Sequence, residues 1–229
     1  MRQDSVITPP EAGLGNAAEM ESERRSKRLA GADRRTHVLE VAAAQFAKTG
    51  LHGTTTEALA KAAGISEPVL YDHFSNKECL FRAAVEANIE NRLAELTARL
   101  ASIPPGSQVH CIESMAEATI AVCVSGSGNT VLTNWALLEA PEYAVDLYRN
   151  EIDSAGILWG QELVKRFPES PSLKALSIHL GTFALNLCMA YGFWLATLRH
   201  TAESAAPLTR HFAAGIAEAA SAILAAQNK

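Results

Sequence analysis

Two short apolar-periodic runs between residues 54 and 78 are separated by Ala63-Gly64-Ile65-Ser66, and this break limits the fold of the chain more than any other feature. Glycine is the residue that adopts a left-handed backbone at no steric cost, so Gly64 predicts a sharp turn. Ile65 supplies an apolar anchor behind it, and Ser66 is a preferred opening residue for the next helix. Thr54 and Glu57 stand at capping-box spacing and predict a short helix through Ala63. A third helix follows from Ser66 to about His73, and Ser75 with Glu78 forms a second box that opens a long helix to about Leu100. Leu59, Ala60, Ala63, Ile65, Leu70 and Phe74 then share one small core, with the alanines permitting close approach. The unit is a helix-turn-helix.

Helix is also the reading for the rest of the chain. Upstream, Leu39, Ala42, Ala43 and Phe46 fall on one face of a helix from Arg34 to Lys48, which Gly50 ends. Pro104-Pro105-Gly106 breaks the chain after the long fourth helix. Beyond it helices are expected over 108–124, 129–139, 142–167, 173–199 and 206–226, with separators at Ser125–Gly128, Ala140-Pro141, Pro168–Pro171 and Thr201–Pro207. No stretch alternates apolar with polar long enough for a strand. The expectation is an all-α protein of about nine helices: a disordered basic arm over 1–31, a helix-turn-helix domain over 32–80, and a larger helical domain over 81–229.

The net charge of −5 is unevenly spread. Residues 24–35 carry Arg24, Arg25, Lys27, Arg28, Arg34 and Arg35 against Asp33 alone, whereas residues 81–229 carry ten Lys/Arg against fourteen Asp/Glu. A polyanionic partner therefore belongs to the N-terminal end. Cys79, Cys111, Cys123 and Cys188 form no CxxC pair, and neither they nor His37, His52, His73, His110, His179, His200 and His211 show metal or nucleophile–base spacing. There is no P-loop or GxGxxG, so no cofactor, metal site or catalytic residue is expected. Residues 1–30 lack the apolar centre of a signal peptide, which points to a cytoplasmic location. Residues 175–198 are uncharged and long enough to span a bilayer, but His179, Thr182, Asn186 and the glycines dilute them. A buried helix in an oligomer is the preferred reading, with no membrane contact.

Gly50, the run from Ala60 to Ser66, and Leu70-Tyr71-Asp72-His73-Phe74-Ser75-Asn76-Lys77-Glu78 closely resemble the DNA-binding domain of the tetracycline-repressor (TetR) family. That family has a glycine at the end of its first helix, an A-x-x-A-G-[VI]-S turn and L-Y-x-[YH]-F-x-x-K-E after it. The likeness covers roughly residues 34–80; beyond them only length and helix layout agree. It implies that Thr54 or Thr55 meets phosphate, that Ser66, Glu67, Pro68 and Val69 face base edges, and that Tyr71, His73 and Lys77 touch the DNA backbone. Glu67 departs from the usual lysine: it either accepts from a cytosine amino group or simply favours the helix dipole in the first turn. Asp72 would repel phosphate and stays outside the contact set, and Leu51 replaces a common aromatic. The basic arm is either a solvated tail or a source of salt-dependent affinity.

For the larger domain the resemblance implies a homodimer through the helices near 173–199 and 206–226, reading a pseudo-palindromic double-stranded DNA operator. It also implies a small-molecule effector, which the scarcity of charge makes neutral and largely apolar. Candidate linings are Met115, Trp135, Trp159, Phe183, Met189, Tyr191 and Trp194, with Asn134, His179 and Asn186 as polar anchors, though such residues serve equally as plain core or dimer seam. The expected role is a repressor released from its operator by that molecule. A ligand-independent regulator or activator of the same fold, an enzyme with an appended DNA-binding domain, and a membrane-attached protein are the other readings.

Overall fold

A computed structural model of the protein describes residues 14–124, 130–197 and 202–227. The described residues form nine helices and no strand: α1 (Leu14–Gly53), α2 (Thr56–Ala63), α3 (Glu67–His73), α4 (Lys77–Ser102), α5 (Gln108–Val124), α6 (Val131–Glu139), α7 (Pro141–Arg166), α8 (Pro171–Thr197) and α9 (Ala202–Gln227). The chain divides into two compact units, residues 1–38 and 39–229. The boundary expected near residue 80 lies inside α4, and the larger unit takes in the helix-turn-helix together with the helices that follow it.

Helix α1 begins at Leu14, so the backbone is helical through residues 14–31, the greater part of the segment read as a disordered arm. Residues 1–13, and the side chains of Arg24, Arg25, Lys27 and Arg28, lie outside the described residues. Val38, Ala42 and Phe46 form the buried stripe of α1, one residue out of step with the face expected from Leu39 and Ala43, which are half-buried. Gly50 interrupts the helix at φ 71°, ψ −175°, and only a short turn follows it to Gly53.

The larger helical body is built on α5, α7, α8 and α9. Their inward faces, with that of α4, supply one core that includes Leu100, Ile112, Met115, Ile120, Trp159, Leu163, Leu173, Cys188 and Leu195. Helices α7 and α8 approach closely because both carry glycine at the crossing: a Cβ on Gly181 would sit 2.6 Å from the Gly156 carbonyl oxygen. The expected break at Thr201–Pro207 resolves differently, since α9 starts at Ala202 and carries Pro207 inside it. The proline forfeits only one backbone hydrogen bond there, within the second turn. The Ser125–Gly128 separator lies outside the described residues.

Helix α4 runs from the helix-turn-helix into the larger body and is held at both ends. At its start the Lys77 ammonium donates to the Thr54 carbonyl at 2.9 Å. At its finish Arg166 of α7 donates to the carbonyls of Ile103 at 2.8 Å and Leu100 at 2.9 Å, satisfying groups that a helix C-terminus leaves open. No described helix is long and apolar enough to cross a membrane, the 175–198 segment included as far as it is described.

Candidate nucleic-acid interface

The turn between α2 and α3 follows from its residues. Gly64 adopts φ 67°, ψ 27°, its N–H donates to Lys61 O at 3.2 Å, and the Ile65 N–H donates back to Ala60 O at 3.0 Å. This pair of bonds is the Schellman closure of a helix, which needs a left-handed residue at the glycine position. Leu59, Ala60, Ala63, Leu70 and Phe74 are buried beneath the turn, and Ile65 is half-buried. The Phe46 ring of α1 meets Phe81 of α4 edge-on at 4.8 Å, fixing the platform on which α2 and α3 sit.

Ser66 is the exposed N-cap of α3 and makes no side-chain capping bond, which leaves its hydroxyl available. Pro68 in the first turn lacks an N–H that the helix could not use there. Pro68, Tyr71 and Asp72 are exposed, Tyr71 at 47 %, while Glu67, Val69 and His73 are half-buried and Leu70 points into the core. The leading end and outer edge of α3 thus present Ser66, Glu67, Pro68 and Tyr71 together. A protruding short helix of this kind offers its first residues to a major groove.

Two residues of the expected contact set are engaged elsewhere. Thr54 is buried: its hydroxyl donates to Gly50 O at 2.7 Å and lies 2.7 Å from the Thr49 hydroxyl. The N-cap of α2 is Thr55, not Thr54, with its hydroxyl accepting from Ala58 N at 3.2 Å. Thr55 is exposed, unlike Thr54. Lys77 directs one ammonium proton to Thr54 O, which makes it a brace between α4 and the start of α2 as well as a cation at a helix N-terminus. The α4 cap is Asn76, whose Oδ1 accepts from Cys79 N at 2.7 Å, rather than the Ser75–Glu78 box. Asparagine caps at least as well as serine, and the sequence offered both side by side.

The residues expected around an effector do not converge. Met115, Trp159 and Met189 are buried in the core, where the Trp159 indole donates to the Thr119 hydroxyl at 3.0 Å. Asn134 donates to its own helix at Thr130 O, 2.8 Å away. His179, Phe183, Asn186 and Trp194 are exposed on the outer side of α8, and of these only Phe183 also reaches the narrow space beside Trp159 and Leu180. Their side chains follow one another at helical spacing, so one rotation of the helix carries all four outward. Tyr191 stacks on Phe212 of α9 at 4.3 Å. Trp135 turns the other way: its indole donates to Ala47 O of α1 at 3.3 Å.

Sequence reasoning missed a buried polar cluster. Arg92 of α4 binds Glu151 of α7 through two bonds of 2.8 and 2.9 Å, and also donates to Asn88 and to Thr133 of α6, both at 2.7 Å. Arg92 and Glu151 are 2 % and 3 % exposed. Each stands on an ordinary amphipathic helix, and nothing local marks the two as partners 59 positions apart.

Residues 38–84 match the family profile of bacterial regulatory proteins of the tetR family. The chain is 36 % identical over 85 residues to the HTH-type transcriptional activator FasR of Mycolicibacterium smegmatis, covering 34 % of this chain and 39 % of that one. It is 31 % identical over 119 residues to the HTH-type transcriptional repressor KstR2 of Rhodococcus jostii, covering 52 % and 50 %. The matches therefore span about two-fifths to a half of the length of these curated relatives. Among solved structures, the TetR-family regulator CifR, a cysteine-substituted form in complex with 26-base-pair operator DNA, superposes with a TM-score of 0.61 at 20 % identity over 78 % of this chain and 94 % of that one. The left-handed turn at Gly64, the helices around it and the matched segment agree: residues 38–84 form a helix-turn-helix segment of the kind found in bacterial regulatory proteins of the tetR family.

Proposed function

We propose that the protein is a dimeric, sequence-specific DNA-binding repressor that leaves a pseudo-palindromic operator when a small, largely apolar molecule binds among α4–α8. The observation that carries the DNA reading is the exposed leading end of α3, held by the Gly64 turn over a buried core. Ser66, Glu67, Pro68 and Val69 face the bases, and Thr55, Tyr71, His73 and the two remaining protons of Lys77 meet phosphates.

Residues 54–78 contain only two lysines, Lys61 and Lys77, against Glu57, Glu67, Asp72 and Glu78. The neutralising charge must come from elsewhere, and the Arg24–Arg35 cluster supplies it. The dimer reading is supported by apolar side chains left on the surface of α8 and α9: Ile178, Phe183 and Trp194, then Leu208 and Ile223, each 41–52 % exposed. Two-fold pairing also supplies the second reading head that specificity requires.

The effector reading asks more of the body. The narrow space beside Arg92, Leu96, Thr119, Cys123 and Met189 has about 10 Å³, and so does that between Ile112, Trp159, Leu180 and Ile216. Drug-sized sites have roughly 300 Å³ or more, so an effector must part these helices. A wider cleft of about 370 Å³ opens between α5 and α9, bounded by Glu117, Ile120, Val124, Thr209 and Arg210. The Tyr191 hydroxyl, buried with no partner among the described residues, is the polar anchor best placed to gain one.

The test is selection of duplexes from a random library by the full chain, followed by titration of the selected duplex at several salt concentrations. A palindromic site with nanomolar affinity is expected. Serine in place of Arg24, Arg25 and Arg28 together lowers the logarithmic salt slope by roughly 0.9 for each phosphate that these arginines neutralise. Failure to enrich any duplex at low salt defeats the reading.

A further inference from the structure

Helix α6 is nine residues long and carries bonds to two different regions. On its inner side, Thr133 accepts from Arg92 at 2.7 Å, which joins α6 to the buried Arg92–Glu151 pair between α4 and α7. Toward α1, the Trp135 indole donates to Ala47 O at 3.3 Å. One turn later, Glu139 Oε2 accepts from the backbone N–H groups of Leu51 and, at 3.4 Å, His52. These two amides follow the left-handed residue Gly50, in a turn that opens directly into Thr54 and α2. Backbone amides after such a turn converge to form an anion-binding concavity, and a carboxylate from another helix fills this one.

The fit at Gly50 is tight. A Cβ there would lie 2.6–2.8 Å from both Glu139 carboxylate oxygens and from the Trp135 ring, besides facing a φ of 71°. The glycine that ends the first helix is therefore required twice, for its dihedral and for the passage of α6. The same turn contains Thr54, whose carbonyl receives Lys77. The loop that sets where α2 begins is thus gripped by α4 through Lys77 and by α6 through Glu139.

We propose that Glu139 and Trp135, both outside the helix-turn-helix, are positioning residues for DNA binding: they fix the turn at Gly50 and so the placement of α2 and α3, with Thr133 anchoring α6 to Arg92. The inference rests on the DNA-binding reading of the protein. Its consequence is that the buried Arg92 cluster and the reading head share one short helix, so displacement of α6 by any event in the body reaches the head without passing along α4.

Two readouts on the full chain test this. Amide hydrogen exchange followed by NMR reads Leu51 and His52 directly: Glu139→Ala raises their exchange about tenfold or more while the thermal midpoint stays near wild type. Binding to a duplex selected by the wild-type chain reads the effect: Glu139→Ala weakens it about tenfold, non-specific duplex binding stays unchanged, and Glu139→Gln restores both readouts because an amide oxygen still accepts from backbone N–H groups. Trp135→Phe keeps an aromatic ring but loses the indole N–H with the pyrrole part of the ring, giving a smaller change in the same direction. Unchanged exchange in Glu139→Ala, or affinity within about twofold of wild type on the selected duplex, overturns the proposal. If the wild-type chain enriches no duplex, the DNA-binding reading itself fails and this inference falls with it.

Discussion

The reading head and the helical body are built on opposite plans. The head hides Leu59, Leu70 and Phe74 and turns Ser66, Pro68, Tyr71 and Asp72 outward, as a small domain facing water or a polyanion does. The body encloses a charged cluster, Arg92 with Glu151, Asn88 and Thr133, and leaves Phe183, Trp194 and Leu208 about half exposed. An isolated monomer gains nothing from that inversion. Burying an ion pair rarely adds net stability, and exposed aromatics need a covering surface. The head's large apolar side chains are thus covered within the chain, whereas the body leaves Phe183, Trp194 and Leu208 uncovered by it.

The sharpest way to break this contrast is at Arg92. Arg92→Met alone strands the Glu151 carboxylate in the core and is expected to cost about 3–5 kcal/mol in denaturant unfolding. The double variant Arg92→Met with Glu151→Leu removes both charges and should unfold within about 1 kcal/mol of wild type or above it. Equal losses in the single and double variants would show that the pair is stabilising, and the inversion would lose its meaning.

A smaller effect is expected on the outer face. Phe183→Lys is predicted to weaken self-association by about 2 kcal/mol or more, read as a shift from dimer to monomer in sedimentation equilibrium, without a lower thermal midpoint for the dissociated chain. Unaltered mass across a wide concentration range would mean that α8 is covered by something other than a second copy.

The two plans also explain what could be read from the sequence. Gly64 and Ser66 act on their immediate neighbours, so the turn and both short helices were legible from spacing, while the contact face of α3 came only from the family resemblance. The local cap choices were not: Thr54 against Thr55 and Ser75 against Asn76 differ by one position, and the decision at the first falls to Thr54 being drawn inward by Gly50 O and Lys77. The body's helices make bonds to residues far away in sequence, as with Arg92 to Thr133, 41 positions apart, and Trp135 to Ala47 of α1, 88 apart. No periodicity reports such partners. Aromatic and methionine residues on α8 look alike in sequence whether they face in, as Met189 does, or out, as Trp194 does. The rotation of the helix decides, and the glycines that set it, Gly156 and Gly181, had no signature of their own.

Within the head, the two left-handed glycines give the next comparison. At Gly64 a Cβ would have nothing within 4 Å, so Gly64→Ala costs only the unfavourable dihedral, about 1–2 kcal/mol. Gly50→Ala meets Glu139 and Trp135 in addition, and should lose more stability together with operator affinity. If both alanine variants lose equally, α6 does not press on Gly50.

Thiol chemistry separates the regions with the least perturbation. Cys79, near the start of α4, is exposed, whereas Cys111, Cys123 and Cys188 are buried in the body. Burial pushes the Cys123 thiol up to about 12, with nearby Arg92 opposing the shift, and raises Cys188 as well. A thiol whose value is raised in the folded state binds its proton more tightly there than in the unfolded chain. Its contribution is therefore intact below about pH 9, the ordinary thiol range, and stability declines as pH climbs from there toward 12. At about pH 8, iodoacetamide should modify Cys79 alone, because Cys111, Cys123 and Cys188 are shielded by burial and the raised values of Cys123 and Cys188 also withhold the nucleophilic thiolate there. Mass spectrometry of the alkylated native chain counts the labels. Rapid labelling of Cys123 at that pH would mean that the space beside Arg92 and Met189 opens readily, and the body would then be a far looser structure than its packed interior implies.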